Sequence, residues 1–343
     1  MPKHIAVLPC DGAGKEVVPE AIKVLRAAGA DLEFEEFDVN ADAYMRSGFA
    51  IPDAIWGQVA GADSILFGAV GDARVNDSNY LAGVLLRLRF ELDLYVNLRP
   101  AKLYDDRLSP LRREERRPVD LMVVRENTEG LYVGMGGRFK KGTEGEIAVQ
   151  EDVNTHAGVT RILEHAFQIA RREVVMVDKS NAMTFAGGLW QERWKATAAK
   201  HPNINTRHLF VDAASMQLVK DPSQFDVIVT NNLFGDILSD LTAELIGGMG
   251  IAPSANINPS TGRGLFEPVH GTAPDIAGKG IVNPIGAILS GAMMMKHLGH
   301  TEMADAIGGA VESAIRAREC TRDIGGDLST SQAGDAVAKR LRD

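Results

Sequence analysis

Short apolar runs alternate with segments of helical period from the first residues onward, and this alternation restricts the chain to an α/β fold. Residues 5–8 read as a buried strand, followed by a glycine-containing turn and a helix over about 16–28. Residues 34–38, 65–67, 121–124, 174–177 and 227–230 read as further short strands, and 41–47 as a helix. No internal repeat interrupts the pattern. The 343 residues, 45 % of them hydrophobic, suffice for one large domain or two modest ones.

The most informative polar pair follows the strand at 227–230. Asp236 and Asp240 lie four apart, and Ile237, Leu238, Leu241 and Leu245 recur around them at helical spacing. Both carboxylates therefore fall on one face of a helix that opens just past a strand end, where α/β proteins tend to bind ligands. Adjacent acids raise each other's pKa unless they share a cation. Oxygen ligands on one face suit Mg²⁺ or Mn²⁺ rather than zinc. The alternative is a helix start that favours Asp through its dipole, with Asp240 a solvated surface charge.

Composition removes several function classes. The formal net charge is −9 and no basic stripe carries interleaved aromatics, so nucleic acid is not an expected partner. The charge-dense run from Arg112 to Arg117 mixes both signs and reads as a solvated loop before Pro118. Cys10 and Cys320 are the only cysteines, too few for a disulfide framework, as in a reducing compartment. No apolar run reaches bilayer length and no leader-like segment precedes the first strand. The expectation is a soluble cytoplasmic protein with no membrane partner.

Several side chains are placed to do chemistry. Arg89, Arg99 and Arg125 stand out, the last directly after an apolar run. Guanidinium forks bind carboxylates bidentately, so converging arginines point to a polycarboxylate substrate; ion pairs with Glu91, Asp93 and Glu126 are the ordinary alternative. Lys179 follows the strand at 174–177, and near a bound cation such a lysine acts as a base, although most lysines are solvated charges. Asp212 either completes a carboxylate cage or caps a helix. The glycine-rich stretch 267–280 suits close approach of backbone N–H groups to nucleotide phosphates, or is a plain surface loop. Asp11-Gly12-Ala13-Gly14 lacks the third glycine of G-x-G-x-x-G, so a Rossmann site is disfavoured. The segment from about 130 to 152 is rich in glycine and ends in alternating Ile147-Ala148-Val149-Gln150. It reads as a β-arm, either a dimer clasp or a free surface hairpin.

Five segments in order carry a family resemblance: Asp11-Gly12-Ala13-Gly14-Lys15-Glu16; Leu88-Arg89 with Asn97-Leu98-Arg99-Pro100; Arg125-Glu126-Asn127-Thr128-Glu129-Gly130; 232–240; and 267–284. Together they resemble the decarboxylating β-hydroxyacid dehydrogenases, the family of isopropylmalate, isocitrate, homoisocitrate and tartrate/D-malate dehydrogenases, over nearly the whole chain. The resemblance implies a two-domain α/β fold with a mixed central sheet, not a Rossmann fold. Residues 1–97 and 248–343 would form a discontinuous nucleotide-binding domain. Residues 98–247 would form the dimerisation and metal/substrate domain. Arg89, Arg99 and Arg125 are implied as binders of a diacid's carboxylates, and Tyr132 as the acid that protonates the enol after CO₂ leaves. Lys179 is implied to help deprotonate the substrate hydroxyl, reaching in from the other subunit. Asp236, Asp240 and Asp212 of the partner subunit are implied as ligands of Mg²⁺ or Mn²⁺. An obligate homodimer with a shared active site follows.

The resemblance also bears on cofactor and substrate. In relatives the stretch from Glu267 to Asn283, with His270, Gly271, Thr272 and Ala273, wraps the nucleotide. Asp275 falls where NAD-using members place an acid against the adenosine ribose and NADP-using members a lysine, so NAD is the expected cofactor. Leu85 and Leu86 precede Arg89 where isocitrate enzymes carry Ser and Asn and homoisocitrate enzymes tend to carry Arg. Two leucines suit an isopropyl group and leave a third carboxylate unpaired, which is costly. With residues 68–72 they are most similar to isopropylmalate dehydrogenases of leucine biosynthesis. Tartrate/D-malate enzymes share the leucine pair, and 179–181 and 325–330 resemble that branch. Cys10 departs from the family's usual glycine before Asp11, and the turn before Leu85 lacks the Glu that approaches the nicotinamide in several relatives. Non-catalytic regulatory homologues commonly lose the tyrosine, lysine or metal acids, all of which are present here.

Overall fold

Strands β1 (Lys3–Cys10), β2 (Leu32–Glu36), β3 (Ser64–Ala69), β4 (Val96–Lys102) and β5 (Asp120–Glu126) come first along the chain. A hairpin of β6 (Gly136–Phe139) and β7 (Ile147–Gln150) follows. Then come β8 (Glu173–Asp178), β9 (Asn205–Phe210), β10 (Val227–Thr230), β11 (Pro253–Asn258) and β12 (Arg263–Pro268). The computed structural model describes residues 2–116 and 118–342, so Arg117 of the charge-dense run lies outside them. Ten strands form one mixed sheet in the order β2-β1-β3-β12-β11-β4-β5-β10-β8-β9. Strands from both chain ends occupy one side, and strands from the middle of the chain the other.

The outer strands are parallel and the centre is not. β11 runs antiparallel to both β12 and β4, and β4 antiparallel to β5. The inner parallel strands are buried and are accordingly continuous apolar runs, as in Val174-Val175-Met176-Val177, whereas the parallel edge strands β2 and β9 are partly exposed and carry polar residues. The antiparallel centre is built differently. β4 reads Val-Asn-Leu-Arg-Pro-Ala-Lys and β11 Pro-Ser-Ala-Asn-Ile-Asn, polar at alternate positions although β11 is wholly buried. Proline lacks the donor a central strand needs. β11 pairs only with Val96, Asn97 and Leu98 of β4, so Pro100 lies beyond its end and no ladder bond is lost there.

The sequence reading located β1, β2, β3, β5, β8 and β10 but not β4, β9, β11 or β12. Two placements change as a result. Arg125 lies within β5 rather than after it, and Glu267 is a buried residue of β12 rather than part of a loop. The first helix begins earlier than expected, at Gly14, and runs to Ala27. The helix Ala41–Ser47 has the expected bounds, fixed by Asn40, whose side chain accepts from Ala43 N at 2.9 Å, and by left-handed Gly48. The β6–β7 hairpin forms the expected arm, with every strand residue exposed. Cys10 ends β1 at φ 57°, a conformation that favours glycine, which is why glycine suits this place. No helix among the described residues is long and apolar enough to cross a membrane.

The helix Gly14–Ala27 starts hard against two strand ends. A Cβ on Gly14 would overlap the Pro9 carbonyl oxygen and come within 2.6 Å of Ala69 N, both backbone atoms. Gly57, inside the helix Asp53–Gly61, has nothing within 4 Å. Gly14→Ala is therefore expected to cost about 1–3 kcal/mol or more, and Gly57→Ala to stabilise by roughly 0.5–1 kcal/mol. Urea midpoints check both, and equal midpoints for the two variants would contradict this packing.

Candidate active site

Side chains alternate across a strand, and register decides which of them meet. Asn97 of β4 lies opposite Arg125 of β5 and Asn256 of β11. Arg99, two residues along β4, shares that face. Ser254 and Glu267, paired across β11 and β12, share it as well. The result is a buried polar floor. Asn97 Nδ2 donates to Ser254 Oγ at 2.8 Å and Asn256 Oδ1 at 3.1 Å, and Asn256 Nδ2 donates to Glu267 Oε1 at 2.8 Å.

The helix Asn232–Leu245 covers this floor, opening directly after β10. Asn231 caps it, accepting from Phe234 N at 2.9 Å. Gly235 permits the close approach, because a Cβ there would come within 2.6 Å of Arg125 Cβ. Asp236 and Asp240 project from the same face, as their spacing requires. Arg125, 1 % exposed, donates through Nε to Asn232 Oδ1 at 2.9 Å and through Nη1 to Asp236. Arg99 donates to Asn97 Oδ1 at 2.9 Å and Ser239 Oγ at 2.7 Å, and its Nη1 lies 3.5 Å from Asp240 and 3.6 Å from Asp236. Arg89, on the short helix Arg87–Glu91, forms a buried ion pair with Glu267 at 2.8 Å. The Tyr132 hydroxyl donates to Asp236 Oδ2 at 2.8 Å, with the Arg125 guanidinium 5.2 Å from its ring centre.

The electrostatics follow from crowding three cations with a few acids. Burial and the neighbouring Arg99 and Arg89 push the Arg125 guanidinium down from its ordinary value. Burial acts to raise the Asp236 carboxyl, but Arg125, Arg99 and the Tyr132 hydroxyl hold it below the ordinary carboxylate range. Asp240 moves the other way, lifted by burial and by the charge of Asp236 against the pull of Arg99. Burial and the bond to Asp236 raise the Tyr132 phenol, keeping it a proton donor. Two hard carboxylates side by side, one of them lifted, fit a divalent cation: it would be held by Asp236 and Asp240 and relieve their repulsion.

Lys179 and Asp212 belong to a separate constellation. Lys179 Nζ pairs with Asp212 Oδ1 at 2.6 Å, and that bond holds the Asp212 carboxyl low. Neither residue is bonded to Asp236 or Asp240 within the chain. Among the described residues no three His, Cys, Asp or Glu side chains come together as a metal group. Asp212 lies in the first turn of the helix Val211–Lys220 but does not cap it; Phe210 occupies the cap position.

The stretch after β12 is fastened to the N-terminal helix. Glu16 accepts from Gly278 N and from Gly280 N at 2.9 Å, and Thr272 O accepts from Ala13 N at 2.8 Å. Ala273 adopts φ 43°, Gly271 and Asp275 are exposed, and His270 Nδ1 faces Gly271 O at 2.9 Å. Asn283 is buried and donates to Asp323 at 2.9 Å. The Asp11 carboxylate accepts from Ala41 N and Gly71 N, each at 2.9 Å, and from Tyr80 OH at 2.6 Å. The opening motif is thus a structural hub beside this loop.

Leu85 and Leu86 close a π-helical turn, Ala82–Leu86, just before Arg89. Such turns carry an extra residue and recur at functional sites. Leu86 is half-buried, and Leu85 packs partly on the smaller apolar core. Arg87 is turned away: it pairs with Glu91 at 2.9 Å, donates to Ile51 O at 3.0 Å and stacks 4.2 Å over Trp56. Sequence reasoning missed Asn97, Asn232, Asn256 and Ser239 as the residues that aim the arginines. For Asn97 and Arg99 the signal was there: polar residues two apart in an otherwise apolar strand pattern.

Residues 4–337 match the isocitrate/isopropylmalate dehydrogenase family. A 3-isopropylmalate dehydrogenase of Corynebacterium kroppenstedtii is 45 % identical over 346 residues, covering 98 % of this chain and 99 % of its own. One of Leifsonia xyli is 46 % identical over 348 residues, covering 98 % and 97 %. The crystal structure of an isocitrate dehydrogenase from Methylococcus capsulatus superposes with a TM-score of 0.92 at 37 % identity, covering 99 % of this chain and all (100 %) of that one. Fold, motif order and whole-length similarity agree: the chain belongs to the isocitrate/isopropylmalate dehydrogenase family.

Proposed function

We propose that the protein is an NAD⁺-dependent 3-isopropylmalate dehydrogenase that oxidises and decarboxylates its substrate in an active site shared across a homodimer. The observation that carries this reading is the convergence of Arg89, Arg99 and Arg125 with Asp236, Asp240 and Tyr132 on one buried face. Relatives named 3-isopropylmalate dehydrogenase over nearly the full length support it. The cleft would lie between the domain 1–97 with 248–343 and the domain 98–247, with closure excluding water.

The arginine forks bind and orient the two carboxylates of a malate core. When bound, Mg²⁺ or Mn²⁺ supplies Lewis-acid polarisation of the C2 oxygen and NAD⁺ accepts the hydride. Lys179, from the other subunit, takes the hydroxyl proton as the neutral amine, once it has parted from Asp212, whose carboxylate favours the ammonium. Tyr132, kept protonated, delivers a proton to the enol carbon after CO₂ leaves. Leu85 and Leu86 face the β-substituent. Arg87 is spent on Glu91, Ile51 and Trp56, so no spare cation there meets a third carboxylate. The exposed Asp275 carboxylate accepts from the ribose 2′-OH and repels a 2′-phosphate.

Two outcomes test the reading. In a kinetic panel with Mn²⁺, kcat/KM for 3-isopropylmalate with NAD⁺ should exceed that for D-malate, tartrate, isocitrate and homoisocitrate by roughly tenfold or more. NADP⁺ should be the poorer coenzyme, and Asp275→Lys should narrow that gap; a D-malate or NADP⁺ preference would reject the assignment. The second outcome concerns the shared site. Asp236→Asn and Lys179→Ala homodimers should each be nearly inactive, but mixed and re-equilibrated they should recover about a quarter of wild-type activity, because half the dimers are mixed and each has one intact site. No recovery on mixing, with exchange confirmed by mass, places all catalytic groups in one chain.

A further inference from the structure

The far face of the same strands bears a second cavity. Leu98 and Pro100 of β4 point opposite to Arg99, and register brings Ala255 and Phe266 beside Leu98. These residues floor a groove of about 570 Å³. Its walls are the helices His156–Ile169 and Ile285–His297, one from each side of the sheet. The volume is that of a small-molecule site.

The groove's polar groups are unequal. Arg171 bridges the two acids, pairing with Asp120 at 2.7 Å and Asp226 at 3.0 Å, and Asp226 also accepts from the backbone N–H groups of Arg171, Arg172 and Glu173, so neither acid is left without a partner. His297 Nε2 is used by Gly262 O at 2.7 Å. Two groups remain. His165 is 9 % exposed and its Nε2 has no hydrogen-bond partner. Burial pushes its imidazole down toward the neutral form. The Lys296 ammonium, exposed at the mouth, has no hydrogen-bond or ion-pair partner among the described residues. A buried polar atom without a partner is uncommon and calls for one.

We infer that this groove binds a small monocarboxylate with an aliphatic body, its tail on Leu98, Ala255, Ile257 and Phe266, its polar end set by His165 and Lys296. The Lys296 ammonium, without a side-chain partner among the described residues, is placed to meet one carboxylate, and a dianion would add a second charge beside Asp120 and Asp226; the apolar floor selects a tail over a sugar or a phosphate ester. The sheet separates this site from the arginines, so its occupant does not compete with the diacid.

Hexanoate is a suitable probe, titrated calorimetrically into the whole protein with hexan-1-ol and hexylamine as controls. Hexanoate should bind saturably with roughly millimolar affinity, and the controls at least about tenfold more weakly. Lys296→Glu lies at the surface and should weaken hexanoate by about tenfold or more; His165→Leu should weaken it as well. Saturating 3-isopropylmalate should leave hexanoate binding in place. The inference is overturned by an absence of saturable binding, by equal binding of all three probes, by displacement with 3-isopropylmalate, or by unchanged affinity in Lys296→Glu. Because the readout is binding rather than turnover, its failure is distinct from failure of the proposed reaction.

Discussion

Three guanidinium groups packed on one buried face are the constraint around which the rest of the molecule is arranged. Left alone, Arg89, Arg99 and Arg125 would repel one another in a medium that screens poorly. Glu267, Asp236 and Asp240 offset them, and the acids come from two distant elements, β12 for one and the helix after β10 for the other two. The balance has a functional corollary. In the proposed reaction a divalent cation and a dianionic substrate would enter together without changing the net charge of the site, the cation replacing Arg125 and Arg99 as partner of Asp236 and Asp240 while the substrate takes up the arginines. Asp240, lifted by burial and by Asp236, is the group with most to gain from that arrangement.

The mixed sheet makes the crowding possible. Inserting antiparallel β11 and β4 between two parallel halves brings strands of both chain ends against strands of the middle. Glu267 then reaches Arg89 while Asn256 holds it from below, and Asn97 links β4 to β11. The same pleat turns Leu98, Ala255 and Phe266 to the opposite face. One set of strands thus presents a charged surface on one side and an apolar groove on the other.

The inner parallel strands were legible because a strand buried on both faces is an uninterrupted apolar run, as at 174–177 and 227–230; the parallel edge strand β9, partly exposed and polar, was not. β4 and β11 were not, since their burial rests on hydrogen bonds between Asn97, Ser254 and Asn256, which no hydropathy pattern records. Those strands carry Arg99 and the asparagines that aim it, whereas Arg125 lies on β5, which was legible. The acids at 236 and 240 were readable because helical spacing fixes their shared face. The pairing of Arg89 with Glu267, 178 positions away, was not, because only the sheet order brings them together. Cys10 was visible as a departure, but its reason, a left-handed backbone at the end of β1, needed coordinates.

The central claim is that these carboxylates hold one divalent cation against an oxidisable diacid. Anomalous diffraction from crystals grown with Mn²⁺ and 3-isopropylmalate tests it most directly. The account predicts a single Mn²⁺ peak per site, within bonding distance of Asp236 and Asp240 and of Asp212 of the partner subunit, with the diacid's carboxylates on the arginines. A manganese peak bound elsewhere, or a diacid seated away from Arg99 and Arg125, would contradict it.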